Sequence, residues 1–270
     1  MIFHYTSIEN LALILESKKI RFNRLDNVDD VLESSEYKEL NFSKYLFVSC
    51  WTENPEENIA LWNMYTHNMK GVRIGLSNPP FRMKLVNEKS DSPIPIIGEK
   101  FLPLTIQECF GKDYFIFPFF SNSEMFYKHI EYLNREELEE RFKKIVTINK
   151  NSDDTQTASV IVRDLAKLKH ERWNFQEESR FVLLITHPLK SPFNTHEMIQ
   201  QLFIEKTLPF SSFDLELDET LFKNMEIVLG PNCSQAEKLI VKALAEKYGI
   251  KQPVKESALK DKIRFKGGAN

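Results

Sequence analysis

The run Phe181-Val182-Leu183-Leu184-Ile185 constrains this chain more than any other stretch. It is apolar and β-favouring with no polar alternation, so it predicts a strand buried on both faces inside a sheet. Directly before it stands a polar and aromatic cluster, Trp173-Asn174-Phe175-Gln176-Glu177-Glu178-Ser179-Arg180. A strand that begins there carries Glu178 at its mouth, held by rigid backbone. If the segment is already extended, Gln176 and Glu178 project to the same side.

Shorter signals fill in the rest. Ile2–Tyr5 reads as a strand and Thr6 or Ser7 as the cap of a helix through Leu15, which Lys18-Lys19 ends. Ile20–Phe22, Tyr45–Trp51, Val72–Leu76 and Asn224–Leu229 read as strands, with extended pieces at Arg82–Val86, Ile94–Ile97 and Met198–Leu208. Pro55 opens a helix to about Asn68, with Gly71 as its C-terminal cap, and Ser234 caps another. Glu124–Tyr132, Arg135–Ile148 and Ala158–Arg172 read as helices, and Gln252–Val254 and Lys262–Phe265 as closing strands. Strands and helices do not alternate strictly, which predicts an α+β fold with antiparallel sheets. The expected architecture is one domain over 1–270, with a mostly helical insertion at about 103–170.

With 270 residues, 42% of them hydrophobic, a full core is within reach. The net charge of -3 argues against coating nucleic acid by bulk charge, though not against a local basic groove. Three scattered cysteines provide neither a disulfide framework nor a metal knuckle and fit a reducing cytoplasm. No basic leader or long apolar core follows Met1, and no window approaches the ~20 apolar residues of a membrane span. These features predict a soluble, cytoplasmic protein with no membrane partner. No His-Glu-x-x-His is present, so no metal site is expected. With 8 glycines in all there is no glycine-rich phosphate loop, which argues against P-loop or Rossmann binding.

Three groups carry candidate chemistry. His4-Tyr5-Thr6 ends the first strand, and a histidine there suits gripping a hydroxyl or an amide. Trp62 and Tyr65 share one helical face, as a core pair or as a platform under a flat heterocycle. Arg73, on the next strand, is either solvated or a bidentate anchor for phosphates. Gln176 and Glu178 are either a charged loop or a pair suited to glycosyl transfer, where a carboxylate steadies an oxocarbenium-like state.

In their order along the chain, His4, the central aromatics and Gln176-x-Glu178 resemble the ADP-ribosyltransferase superfamily, in its His-Tyr-Glu branch. More closely, the chain resembles a bacterial domain-of-unknown-function family. The matching residues are His4-Tyr5-Thr6, Asp29-Asp30-Val31-Leu32-Glu33, Cys50-Trp51-Thr52, Trp62-x-x-Tyr65, Gly71-Val72-Arg73-Ile74-Gly75 and Trp173-x-x-Gln176-x-Glu178-x-Arg180. Ile227–Pro231 followed by a helix also fits, and the match leaves out about Pro103 to Lys169. Asp29, Val31 and Gln176 depart from the pattern, which has Asn, Pro and Glu there. The resemblance implies two small antiparallel sheets and NAD as co-substrate. It implies that His4 holds the nicotinamide ribose, with Tyr5 and Thr6 beside it, and that Tyr65 or Trp62 stacks on nicotinamide. Glu178 would bind the ribose 2′-hydroxyl and stabilise the cation, and Gln176 would present the acceptor. The implied activity is that of an NAD-dependent ADP-ribosyltransferase acting as an intracellular toxin or phage-defence effector, kept in check by an antitoxin. Its acceptor would be protein or nucleic acid. RNA is favoured, with bases stacked on exposed aromatics of Tyr114–Phe120 and phosphates met by Lys167, Lys169 and Arg172. The alternative is the same fold with a decayed site, binding a nucleotide or a partner protein.

Overall fold

A computed structural model describes residues 1–35, 42–87, 97–150, 156–189 and 207–263. Strand β1 (Ile2–Thr6) leads into helix α1 (Ile8–Ser17), whose first turn is capped by the Ser7 hydroxyl accepting from the Asn10 N–H. After β2 (Lys19–Arg24), Asp30 caps the short α2 (Val31–Ser35), accepting from the Leu32 and Glu33 N–H groups. Strand β3 (Leu46–Thr52), helix α3 (Ile59–Tyr65) and β4 (Val72–Leu76) follow. The last turns of α3 give way to a 3-10 turn at His67–Met69. Gly71 is required by close approach rather than as a cap, since a Cβ there would meet the Thr6 carbonyl oxygen at 2.2 Å.

The central block departs from expectation. It holds the hairpin of β5 (Lys84–Val86) with β6 (Lys100–Leu102), then β7 (Phe115–Ile116) and a single turn, α4 (Ser123–Phe126). Beyond these come β8 (Tyr127–His129), β9 (Glu131–Leu133) and one full helix, α5 (Arg135–Ile145). Strands β10 (Val146–Lys150) and β11 (Gln156–Val160) form a hairpin, and β12 (Leu168–His170) runs parallel to β9. The helices expected over 124–132 and 158–172 are therefore replaced largely by strands and 3-10 turns. Local helical spacing is overridden because Tyr127–His129 pairs along the strand at Glu178–Thr186 and Leu168–His170 pairs with β9. The block is not a mostly helical insertion.

The buried run is β13 (Glu178–Thr186), and every residue of it is buried. It pairs antiparallel with β3 on one edge and with β8 and β7 on the other. Its Phe181 face packs against the rings of Phe81, Phe126 and Tyr127. The chain closes with β14 (Ser212–Glu216), α6 (Glu219–Lys223), β15 (Glu226–Leu229) and α7 (Gln235–Lys247), the last opened by a Ser234–Glu237 capping box. Gln252–Val254 forms no strand; only Lys255 bridges to Val228. Most of the strands expected at Ile94–Ile97 and Met198–Leu208, and the end of Lys262–Phe265, lie outside the described residues.

The fold is α+β, with nearly all pairings antiparallel. Nine strands form one connected sheet in the order β14-β2-β3-β1-β4-β15, with β13, β7 and β8 joined through β3. Two separate small sheets are not what this network gives, yet it has a seam. β1 pairs with β4 over five rungs but with β3 at Phe3↔Thr52 alone. Beyond that rung β1 and β3 splay apart. Among the described residues no helix is long and apolar enough to cross a membrane.

Candidate active site

The splay opens a cleft with two lobes that share His4, Tyr5, Cys50, Tyr65 and Glu178. One lobe, of about 50 Å³, is walled by Phe3, Trp51 and Leu61 and reaches Gln176. The other, of about 270 Å³, is polar, with Asn10, Arg21, Asn23, Asn27 and Asp29 on its walls.

His4 sits on β1 just past the last shared rung. Its Nδ1–H donates to the Cys50 carbonyl at 2.9 Å, because a carbonyl only accepts. That fixes Nε2 as the acceptor. Burial pushes the imidazole pKa down, so the ring stays neutral and can take a hydrogen bond from a hydroxyl.

Tyr65 ends α3, which is anchored at its start by Asn58. The Asn58 side chain accepts from the Ala60 and Leu61 N–H groups and donates to the Phe175 carbonyl at 2.6 Å. The helix is thereby tied to the segment that leads into Glu178. The Tyr65 ring is 37% exposed at the cleft, while its hydroxyl points inward and accepts from Gln176 Nε2 at 2.9 Å. Burial, with Cys50, Glu178 and Asp29 nearby, pushes the phenol pKa up, so it keeps its proton.

Glu178 starts β13, and its N–H donates to the Tyr132 hydroxyl at 2.9 Å. Its carboxylate meets two cations. Arg180 Nε donates to Oε1, Arg180 Nη2 to Oε2 at 3.2 Å, and Lys169 Nζ to Oε2 at 2.9 Å. Arg180 is itself fully buried and forks onto Glu33 of α2. The Cys50 thiol, kept protonated by burial, is a fourth donor on a carboxylate that offers about four lone-pair sites, so a ligand hydroxyl would take the place of that weak donor. Burial alone would raise the Glu178 pKa, but Arg180 and Lys169 outweigh it and hold the group at about 2.

A pH prediction follows from that value. In the unfolded chain the same group titrates near 4.5. Its stabilisation is complete above pH 4.5 and lost as pH falls through 2. Urea midpoints recorded across that window should drop for the wild type, with part of the slope absent in Glu178→Gln.

Four residues named from the sequence therefore meet in one place: His4, Tyr65, Gln176 and Glu178 all line the cleft. Tyr5 and Thr6 line it too, the Tyr5 hydroxyl being used to accept from the Asn58 N–H at 3.0 Å. Trp62 and Arg73 do not line either lobe. Trp62 is fully buried, edge-on to Tyr5, with its indole N–H on Glu57. It is a core residue rather than a platform. Arg73 is buried over the Phe3 ring and donates to the Pro55 carbonyl at 2.8 Å, which leaves it no reach to a ligand's phosphates.

The expected nucleic-acid contacts also change. Phe115 and Phe117 are buried against each other and Phe120 against Phe126, while Tyr114 and Phe119 are half-buried, so none of these rings is an exposed stacking surface. Lys169 is only 4% exposed and belongs to the cleft, while Lys167 pairs with Glu131 at 3.7 Å. Sequence reasoning missed Lys169 and Tyr132 as partners of Glu178, and Glu33 as the partner of Arg180. The first two lie in the block that the resemblance left out, and nothing in linear spacing foretells the parallel rung Lys169↔Tyr132 that brings them together.

Compared with protein-family models, curated proteins and solved structures, the chain finds no match in any of the three.

Proposed function

We propose that this protein is an NAD-dependent ADP-ribosyltransferase whose active site is the cleft where β1 and β3 splay apart. The observation that carries the reading is the convergence of His4, Tyr65, Gln176 and Glu178, from three separate segments, on one cleft at the seam of the sheet. The lobe bounded by Trp51, Leu61 and Tyr65 would take the nicotinamide ring. His4 Nε2 and the Glu178 carboxylate, the latter in place of the Cys50 thiol, would each take a ribose hydroxyl. The carboxylate, ionised throughout the physiological range, would then face the cation that forms as nicotinamide leaves.

Within this reading the acceptor is protein or nucleic acid. The particular grounds for RNA, exposed rings at Tyr114–Phe120 and a surface Lys169, are not found in the fold. An intracellular toxin or phage-defence effector, restrained by an antitoxin, is the biological role that such an activity would serve.

One observation favours a second reading, a nucleotide-binding module with a decayed site. Lys169 and Arg180 together offset the charge that Glu178 would lend to a developing cation. The two readings separate when purified protein is incubated with NAD labelled on the adenosine side, together with pools of RNA, DNA or protein. Transfer of label with release of nicotinamide, both lost in Glu178→Gln, is the result expected of the enzyme. Saturable NAD binding with intact NAD recovered identifies the binding module.

A further inference from the structure

We propose that Lys169 is the positioning residue of this site, one ammonium clamping Gln176 and Glu178 into a single arrangement. The inference rests on the enzymatic reading above for its kinetic consequences, and on geometry alone for the clamp. Lys169 Nζ donates to Gln176 Oε1 at 2.7 Å and to Glu178 Oε2 at 2.9 Å. The Trp173 ring lies 5.0 Å from the ammonium and closes off a further side. An ammonium has donors only, so the Gln176 atom it meets is the carbonyl oxygen. The amide nitrogen is then turned onto the Tyr65 hydroxyl, where it donates at 2.9 Å.

This assigns Gln176 a different part from the one its place in the sequence suggests. The side chain is 3% exposed, with its oxygen taken by Lys169 and one N–H taken by Tyr65. With one lone pair of its oxygen on Lys169 and one N–H on Tyr65, the amide is fixed at both ends rather than free to turn toward an acceptor nucleophile. What Gln176 does instead is transmit the position of Lys169 to Tyr65, which ties the ring at the cleft wall to the carboxylate at its floor.

Charge balance alone does not account for the arrangement. Arg180 already spans Glu33 and Glu178. The shorter of the two Lys169 contacts goes to a neutral amide rather than to the carboxylate. The backbone makes the same point, because Lys169 and Tyr132 are partners on one β12–β9 rung. From that rung Lys169 holds the Glu178 side chain and Tyr132 accepts its N–H.

The test compares full-length wild type, Lys169→Met and Lys169→Arg. Two readouts are taken below the melting range of each: nicotinamide release against NAD concentration, and the titration of the Glu178 carboxyl by carbon NMR. Lys169→Met should lose about 10-fold or more in kcat with KM for NAD little changed, because misplacement of fixed groups is felt mainly in the reacting state. Lys169→Arg, which keeps the charge and donors, should recover part of the loss. The Glu178 carboxyl should titrate roughly one pH unit or more higher in Lys169→Met. Wild-type kcat in Lys169→Met, or an unmoved Glu178 titration, overturns the proposal. If the wild type releases no nicotinamide, it is the enzymatic reading that fails, and the NMR titration alone decides for or against the clamp.

Discussion

Replacing Arg180 by methionine is expected to cost the fold about 3–5 kcal/mol, read as a drop in the urea midpoint with little change in its slope. Arg180 has no exposed surface, and it is the group that lies between two buried carboxylates, Glu33 and Glu178. Methionine fills much of the same volume but carries no donor. Glu33 is left facing a thioether, and Glu178 keeps Lys169 alone. An uncompensated buried charge is far more costly than a buried pair is stabilising, so the loss should be large although the pair itself is worth little. Adding Glu33→Gln to Arg180→Met removes one of the stranded charges and should recover part of the stability. A single-variant loss within about 1 kcal/mol would mean that water reaches these groups and that the network is not the buried frame of the site.

Glu178→Gln is expected to slow nicotinamide release by about 10²–10³-fold, the range found when one preorganised electrostatic group is removed from a reacting centre. The carboxylate contributes through its ionised state, which Arg180 and Lys169 hold throughout the physiological pH range. An amide at the same place is neutral and presents two N–H donors toward an arginine and a lysine that can only donate. The substitution therefore also strains the network, and rates have to be compared below the melting range of the variant. His4→Ala tests the opposite wall with less disturbance, since His4 makes a single hydrogen bond, to the Cys50 carbonyl. Loss of turnover in both variants locates the reaction between them. Wild-type turnover in either removes that residue from the chemistry.

Much of this frame was legible in the sequence, for reasons that can be named. The unbroken apolar run 181–185 reads as an interior strand, and it is flanked on both edges. Ser7 and Ser234 announced helix starts because their side chains satisfy first-turn N–H groups wherever such a helix forms. His4 lies within a strand that is readable from Ile2–Tyr5, while Tyr65, Gln176 and Glu178 each sit at an element end. What failed was non-local. Tyr127–His129 and Leu168–His170 have helical neighbours in sequence but strand partners in space, and pairing outweighed local spacing. Trp62 and Tyr65 share a helical face, yet Trp62 is swallowed by the core with Tyr5 while Tyr65 reaches the cleft three residues on. Lys169 looked like part of a surface patch because its neighbours Lys167 and Arg172 are partly or fully exposed. Only the β9–β12 rung turns it inward.

The measurement that bears most directly on the central claim is a crystal structure of Glu178→Gln, or of His4→Ala, grown with saturating NAD. The account predicts the nicotinamide ring in the lobe bounded by Trp51, Leu61 and Tyr65, with its ribose between residues 4 and 178. NAD bound elsewhere on the molecule, or a cleft left empty at a concentration that saturates binding in solution, would contradict it.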